Sequence, residues 1–99
     1  MWRQRFRCGS RGRFPKPVIL GMMPPVNGFT PIPPRNVDPI FLELAELEAF
    51  RLVDFEGLSQ EEAGQRMGVS RGTIWRLVQR ARRKIAQALS EGRPIYIIP

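Results

Sequence analysis

The stretch Ser59-Gln60-Glu61-Glu62-Ala63-Gly64-Gln65-Arg66-Met67-Gly68-Val69-Ser70-Arg71-Gly72-Thr73-Ile74-Trp75-Arg76-Leu77 reads as two helices and the turn between them. Ser59 and Glu62 have the spacing of a capping box, in which the hydroxyl accepts the backbone N–H three residues on and the carboxylate reaches back to the cap. That pair fixes where the first helix starts. Ala63 is then an inward-facing small residue, as two helices that cross steeply and approach closely require, with Met67 and Val69 packing beside the crossing. Gly68 supplies the left-handed turn conformation, and Ser70 caps the second helix.

On a wheel of about 100° per residue, Ile74, Leu77, Val78, Ala81, Ile85, Ala88 and Leu89 share one face of that second helix, and Gly72, Arg76, Gln79, Arg80 and Arg83 the opposite one. One face is core and the other is basic. The basic face suits DNA, because arginine pairs bidentately with guanine O6 and N7, glutamine pairs with adenine N6 and N7, and a groove-facing glycine admits close backbone approach. The candidate base readers are therefore Arg71, Gly72, Arg76 and Gln79; Arg71 lies toward the flank of the core face but follows the cap, so its side chain projects past the helix end. Candidate phosphate contacts are Ser70 and Thr73 at the helix start and Arg80, Arg82, Arg83 and Lys84 farther along, where neutralising phosphate adds affinity without sequence information. Such a basic run is also often only a solvated face. Trp75 and Met67 are expected in the core, because large apolar side chains usually bury.

Working outward, proline is absent from Phe41 until Pro94, and the composition there favours helix. Three helices are expected, roughly Leu42 to Glu56, Ser59 to Met67 and Ser70 to Ser90, separated by the breakers Gly57 and Gly68. The first spreads Leu44, Leu47, Phe50, Leu52, Val53 and Phe55 over a broad arc and is expected to pack against several elements. Gly92 stops the third helix, and Ile95-Tyr96-Ile97-Ile98 is expected to form a strand. Before residue 40, eight prolines exclude a long helix, and Pro17-Val18-Ile19-Leu20 is the one expected strand, a candidate partner for the last one. The expected organisation is a basic Pro/Gly-rich arm over 1–40, a helical domain over 41–92 and a terminal strand over 93–99.

With 99 residues the chain holds one module and its appendages. Its net charge of +7 points to a polyanionic partner. Acids segregate: Glu43, Glu46, Glu48, Asp54, Glu56, Glu61 and Glu62 all precede Arg66, and none occurs from Ala63 to Ser90, which places acids away from DNA and bases toward it. The absence of histidine removes the commonest general base and metal ligand, and Cys8, the sole cysteine, forms no internal disulfide or cysteine-pair zinc site. No cofactor or metal and no enzymatic activity are expected, and a reducing cytoplasm, with nucleoid association, fits best. The apolar run Val18 to Met23 ends at Pro24-Pro25, far short of the roughly 20 residues of a membrane helix. The arm's Arg3, Arg5, Arg7, Arg11 and Arg13 suit either a solubilising tail or a minor-groove contact; as an organellar transit peptide the Arg-rich start is disfavoured by its Pro and Gly.

Leu47-Glu48-Ala49-Phe50-Arg51-Leu52, Glu56 to Ala63, Met67-Gly68-Val69-Ser70-Arg71 and Ala81-Arg82-Arg83-Lys84 resemble the helix-turn-helix of sigma-factor region 4. They resemble more closely a small, uncharacterised prokaryotic family of predicted DNA-binding proteins, whose arm before the helices is similar to Met23-Pro24-Pro25-Val26-Asn27-Gly28-Phe29-Thr30-Pro31. The resemblance implies base contacts at Arg71, Gly72 and Arg76 and the role of a stand-alone transcriptional regulator, without core promoter opening; RNA polymerase is a further candidate partner. Gly72 lacks a side chain for that task, and Glu43 stands where a Ser or Thr cap is usual.

The expected fold is mainly α, a helix-turn-helix three-helix core with an extended, partly β amino-terminal arm and a short carboxy-terminal strand. The expected function is sequence-specific binding of double-stranded DNA, as a transcriptional regulator and a candidate homodimer, since a dimer gains a second half-site. RNA binding and a protein adaptor of the transcription machinery are the alternatives.

Overall fold

The computed structural model describes residues 4–7 and 17–99. The readings of Arg3, Cys8, Arg11 and Arg13 lie outside the described residues. In chain order the elements are β1 (Gln4–Arg7), β2 (Pro17–Leu20), β3 (Gly28–Phe29), β4 (Ile40–Glu43), α1 (Leu44–Phe50) continuing into a π-helical turn (Arg51–Phe55), α2 (Gln60–Met67), α3 (Arg71–Glu91) and β5 (Ile95–Ile98). The result is an α-rich fold with a small sheet, in which α1 and α2 both pack on α3.

Three of the expected helix ends fall where their signals stand. The Ser59 hydroxyl accepts the Glu62 N–H at 3.0 Å, and the Glu62 carboxylate accepts the Ser59 N–H at 2.9 Å. The Ser70 hydroxyl accepts the Thr73 N–H at 3.1 Å. Gly92, at φ +66°, ends α3.

The first helix is shorter than expected. Leu42 and Glu43 belong to β4, where Ile40 and Leu42 are buried and Phe41 is exposed, the alternation of a strand with one face covered. Pro39 precedes this segment, and its partner lies more than fifty residues away: β4 pairs parallel with β5, Phe41 opposite Tyr96 with their rings edge-on at 6.2 Å. Beyond Phe50 the helix widens to i→i+5 bonding, with the Glu56 N–H donating to the Arg51 carbonyl at 2.9 Å.

The terminal strand does not pair with Val18–Leu20. The three-stranded sheet has the order β3-β5-β4, with β5 antiparallel to β3, and β2 pairs antiparallel with β1. Val18 and Leu20 instead bury their side chains in the core. Among the described residues before residue 40 there are thus three strands where one was expected.

The core joins Val18 and Leu20 of β2, Leu44, Ala45 and Ala49 of α1, Leu52 of the π turn, Ala63 and Met67 of α2, and Ile74, Leu77 and Val78 of α3. Each large side chain there contributes about 1.5–3 kcal/mol by leaving water. Three apolar residues depart from the expected burial: Trp75 is 51% exposed, Phe55 84% and Leu89 79%. Trp75 stands about 100° round α3 from Ile74, beyond the arc that α1 and α2 cover. Phe55 and Leu89 line an open groove.

Candidate functional site

The turn between α2 and α3 is built on two glycines. Gly68, at φ +71°, takes the left-handed conformation that closes α2. At Gly64 an added Cβ would sit 2.7 Å from the Val69 carbonyl oxygen, so the close approach expected at Ala63 is made one residue later. Ala63 is itself fully buried. The Val69 N–H donates to the Gly64 carbonyl at 2.9 Å, folding the turn back over this bare position. The signal was present in the sequence: a glycine inside a helix costs about 1 kcal/mol against alanine and so asks for a packing reason.

At the start of α3 three polar side chains form a chain. Ser70 Oγ and Thr73 Oγ1 lie 2.9 Å apart, and an Arg76 guanidinium nitrogen lies 3.4 Å from Thr73 Oγ1, which draws the Arg76 side chain back toward the helix N-terminus. Arg71, Gly72, Trp75 and Arg76 are all exposed, and Gln79 is half-buried. A Cβ built on Gly72 meets only Ser70 Oγ, at 4.0 Å. Packing therefore does not demand glycine here; the surface above it is open.

The basic continuation of α3 divides. Arg83 is exposed and Arg80 half-buried. Arg82 instead makes a two-pronged pair with Asp54 of the π turn, at 2.8 and 2.7 Å. The hydrogen bonds from Arg82 hold the Asp54 carboxyl below its ordinary range. Lys84 donates at 2.8 Å to Glu46, whose side chain is fully buried. Two of the expected phosphate contacts are thus engaged by acids of the first helical segment. The expected separation of acids from α3 does not hold along its middle, and residues 28 and 38 positions apart in sequence gave no local sign of these pairs.

A third acid anchors the arm. Glu48 accepts the Gly21 N–H at 2.9 Å and two Arg51 bonds at 3.1 and 2.8 Å. Glu48 raises the Arg51 guanidinium above its already high range.

On another side, Met22, Val26, Phe29, Phe55 and Leu89 border an apolar groove of about 780 Å³ floored by Leu44, Ile95 and Ile97. Among the described residues there is no group of His, Cys, Asp or Glu side chains suited to hold a metal ion. No described helix is long and apolar enough to cross a membrane.

A family model described as Protein of unknown function DUF134 matches residues 1–98. A UPF0251 protein of Thermococcus kodakarensis is 55% identical over 82% of this chain and 74% of its own length. A UPF0251 protein of Pyrococcus furiosus is 52% identical over 91% of this chain and 86% of its own, and one from Vibrio vulnificus is 49% identical over 83% and 84%. No solved structure matches the chain.

Proposed function

The chain belongs to the family of unknown function DUF134, and we propose that it binds double-stranded DNA in a sequence-specific manner through a helix-turn-helix formed by α2 and α3, as a transcriptional regulator. One observation carries this reading. The first two turns of α3 expose Gly72 and Arg76 on one side and bury Ile74, Leu77 and Val78 on the other, with Arg71 exposed at the helix start and no carboxylate in that segment. A rigidly seated helix with a bare, cationic outer face fits a major groove, and Arg76 has the chemistry to take guanine O6 and N7. The net charge of +7 supplies the attraction to phosphate.

Arg83 is the exposed phosphate contact of this arrangement, whereas Arg82 and Lys84 tie α3 to the first helical segment. Selection from a random duplex library tests the reading, followed by titration of two variants across salt. Arg76→Ala is expected to lose about 1–3 kcal/mol on the selected site and to relax one base position, whereas Arg83→Ala weakens all duplexes alike and lowers the salt slope by about 1. Equal, sequence-independent losses from both variants overturn it. Preference for folded RNA over duplex in direct competition moves the reading to RNA.

The apolar groove favours a second reading, an adaptor that contacts RNA polymerase or a partner protein through the bundle. Retention of RNA polymerase by a variant with charge reversed at Arg76 and Arg83 separates it from the first.

A further inference from the structure

We propose that Trp75 is a specificity residue of this interface and takes the 5-methyl group of a thymine adjacent to the base pair that Arg76 reads. The inference rests on the DNA-binding reading above and deepens it.

Trp75 is half-exposed although α3 has an apolar face that would receive it one step round the helix. An exposed indole leaves a large apolar area in water and gains nothing from the fold for it. Its place on the helix supplies a reason. Residues three and four apart along a helix are surface neighbours. The neighbours of Trp75 are Gly72 and Arg71 on the N-terminal side and Gln79 and the buried Val78 on the C-terminal side, with Arg76 next to it in the chain. It therefore stands at the border between the core face and the group of candidate base readers.

Gly72 completes the arrangement. Apart from its two chain neighbours and the backbone of its own helix, the nearest atom to a Cβ placed on it is Ser70 Oγ at 4.0 Å. Trp75 follows Gly72 by three residues and Arg76 by four, so helix geometry sets the bare position as a notch between the Trp75 position on one flank and the Arg76 position on the other. A base edge that enters this notch meets a hydrogen-bond donor on one side and an apolar surface on the other. In the major groove the thymine methyl is the apolar group on offer, and the guanine O6 and N7 pair is the matching acceptor. The two flanks thus select a guanine beside a thymine. The Thr73 hydroxyl, 3.4 Å from Arg76, keeps the guanidinium on its own flank of the notch.

The test uses the full chain and the duplex selected from the random library, prepared with thymine and with deoxyuridine at the candidate position, which removes only the methyl group. Burial of one methyl corresponds to about a four-fold change in affinity. The wild-type protein is expected to bind the thymine duplex about four-fold more tightly than the deoxyuridine duplex. Trp75→Ala is expected to bind both equally, about ten-fold more weakly than wild type on thymine, with an unchanged salt slope because the indole neutralises no phosphate. Thermal melting of Trp75→Ala at the wild-type temperature confirms that the exposed residue was removed without loss of fold.

A thymine preference that persists in Trp75→Ala overturns the inference, as does a loss that is equal on every duplex. A wild-type protein indifferent to the methyl group at every position of a selected duplex overturns it while leaving the DNA-binding reading intact. Failure to select any duplex overturns both.

Discussion

Gly64 and Gly72 stand eight residues apart in adjoining helices and carry opposite reasons for being glycine. At Gly64 the reason is internal, because a Cβ would press on the Val69 carbonyl at 2.7 Å, a backbone atom that moves only if the turn moves. At Gly72 the fold gives no reason, since a Cβ there meets open space. The paired alanine substitutions therefore have opposite expected signs in a thermal or denaturant melt. Gly64→Ala destabilises by about 1–3 kcal/mol, the usual cost of forcing extra volume into a packed site. Gly72→Ala stabilises by about 0.5 kcal/mol, a part of the roughly 1 kcal/mol by which alanine is the better helix former, because the position lies in the first turn. If DNA approaches this helix start closely, the same Gly72→Ala protein, more stable than wild type, binds the selected duplex less tightly. An unchanged affinity in a stabilised Gly72→Ala variant would show that no surface comes near the position. The exposure of Gly72 and Arg76 could be placed from the wheel alone, as their environment is set by the helix they sit on, whereas that of Arg71 also needed the cap before it. The exposure of Trp75 could not, as it depends on how far round α3 its neighbours reach.

Among the elements, α3 is fixed from both flanks by ions that its own sequence did not disclose. The capping residues Ser59 and Ser70 act within three residues of themselves, which is why both helix starts were legible. Strand β4 was not legible, because Phe41-Leu42-Glu43 joins smoothly onto helix-forming sequence and its pairing with β5 is decided by contacts across the whole chain. The Lys84–Glu46 and Arg82–Asp54 pairs are likewise non-local, so a run that looked uniformly basic splits into structural and exposed members. Lys84 decides the matter experimentally. Its removal leaves the fully buried Glu46 carboxylate without its cation. A fully buried pair broken in this way costs about 3–5 kcal/mol; with the lysine partly open to solvent, a loss of about 2 kcal/mol is expected for Lys84→Ala in denaturant unfolding. Combining Lys84→Met with Glu46→Gln removes both charges while keeping an oxygen for the Glu43 N–H, which Glu46 accepts at 3.0 Å, and is expected to restore most of the stability. Wild-type stability in Lys84→Ala would mean that the lysine is free to serve phosphate after all.

Taken whole, the molecule balances nine carboxylates against sixteen Lys and Arg, and its response to acid follows from where those carboxylates lie. Asp54 is held below its ordinary value of 3.8 by the hydrogen bonds from Arg82, and Glu62 below its ordinary 4.5 by the backbone and hydroxyl of Ser59. Both are groups whose folded-state pKa is depressed. Their contribution to stability is fully present above the unfolded-state values and is lost as pH falls through the folded-state ones. Protonation of the remaining acids adds to this by leaving the cations unbalanced, and self-repulsion then opposes the compact state. The melting temperature is accordingly expected to be level from neutral pH down to about pH 5 and to fall steeply below about pH 4. The descent should shrink in a protein carrying both Asp54→Asn and Glu62→Gln, which starts lower at neutral pH because two favourable charges are already gone. A wild-type melting temperature that stays level to pH 3, or a descent of the same depth in the double variant, would show that these two carboxylates do not couple folding to pH. In added salt the self-repulsive part is screened while the hydrogen bonds to Asp54 and Glu62 persist, so the acid descent is expected to soften without vanishing.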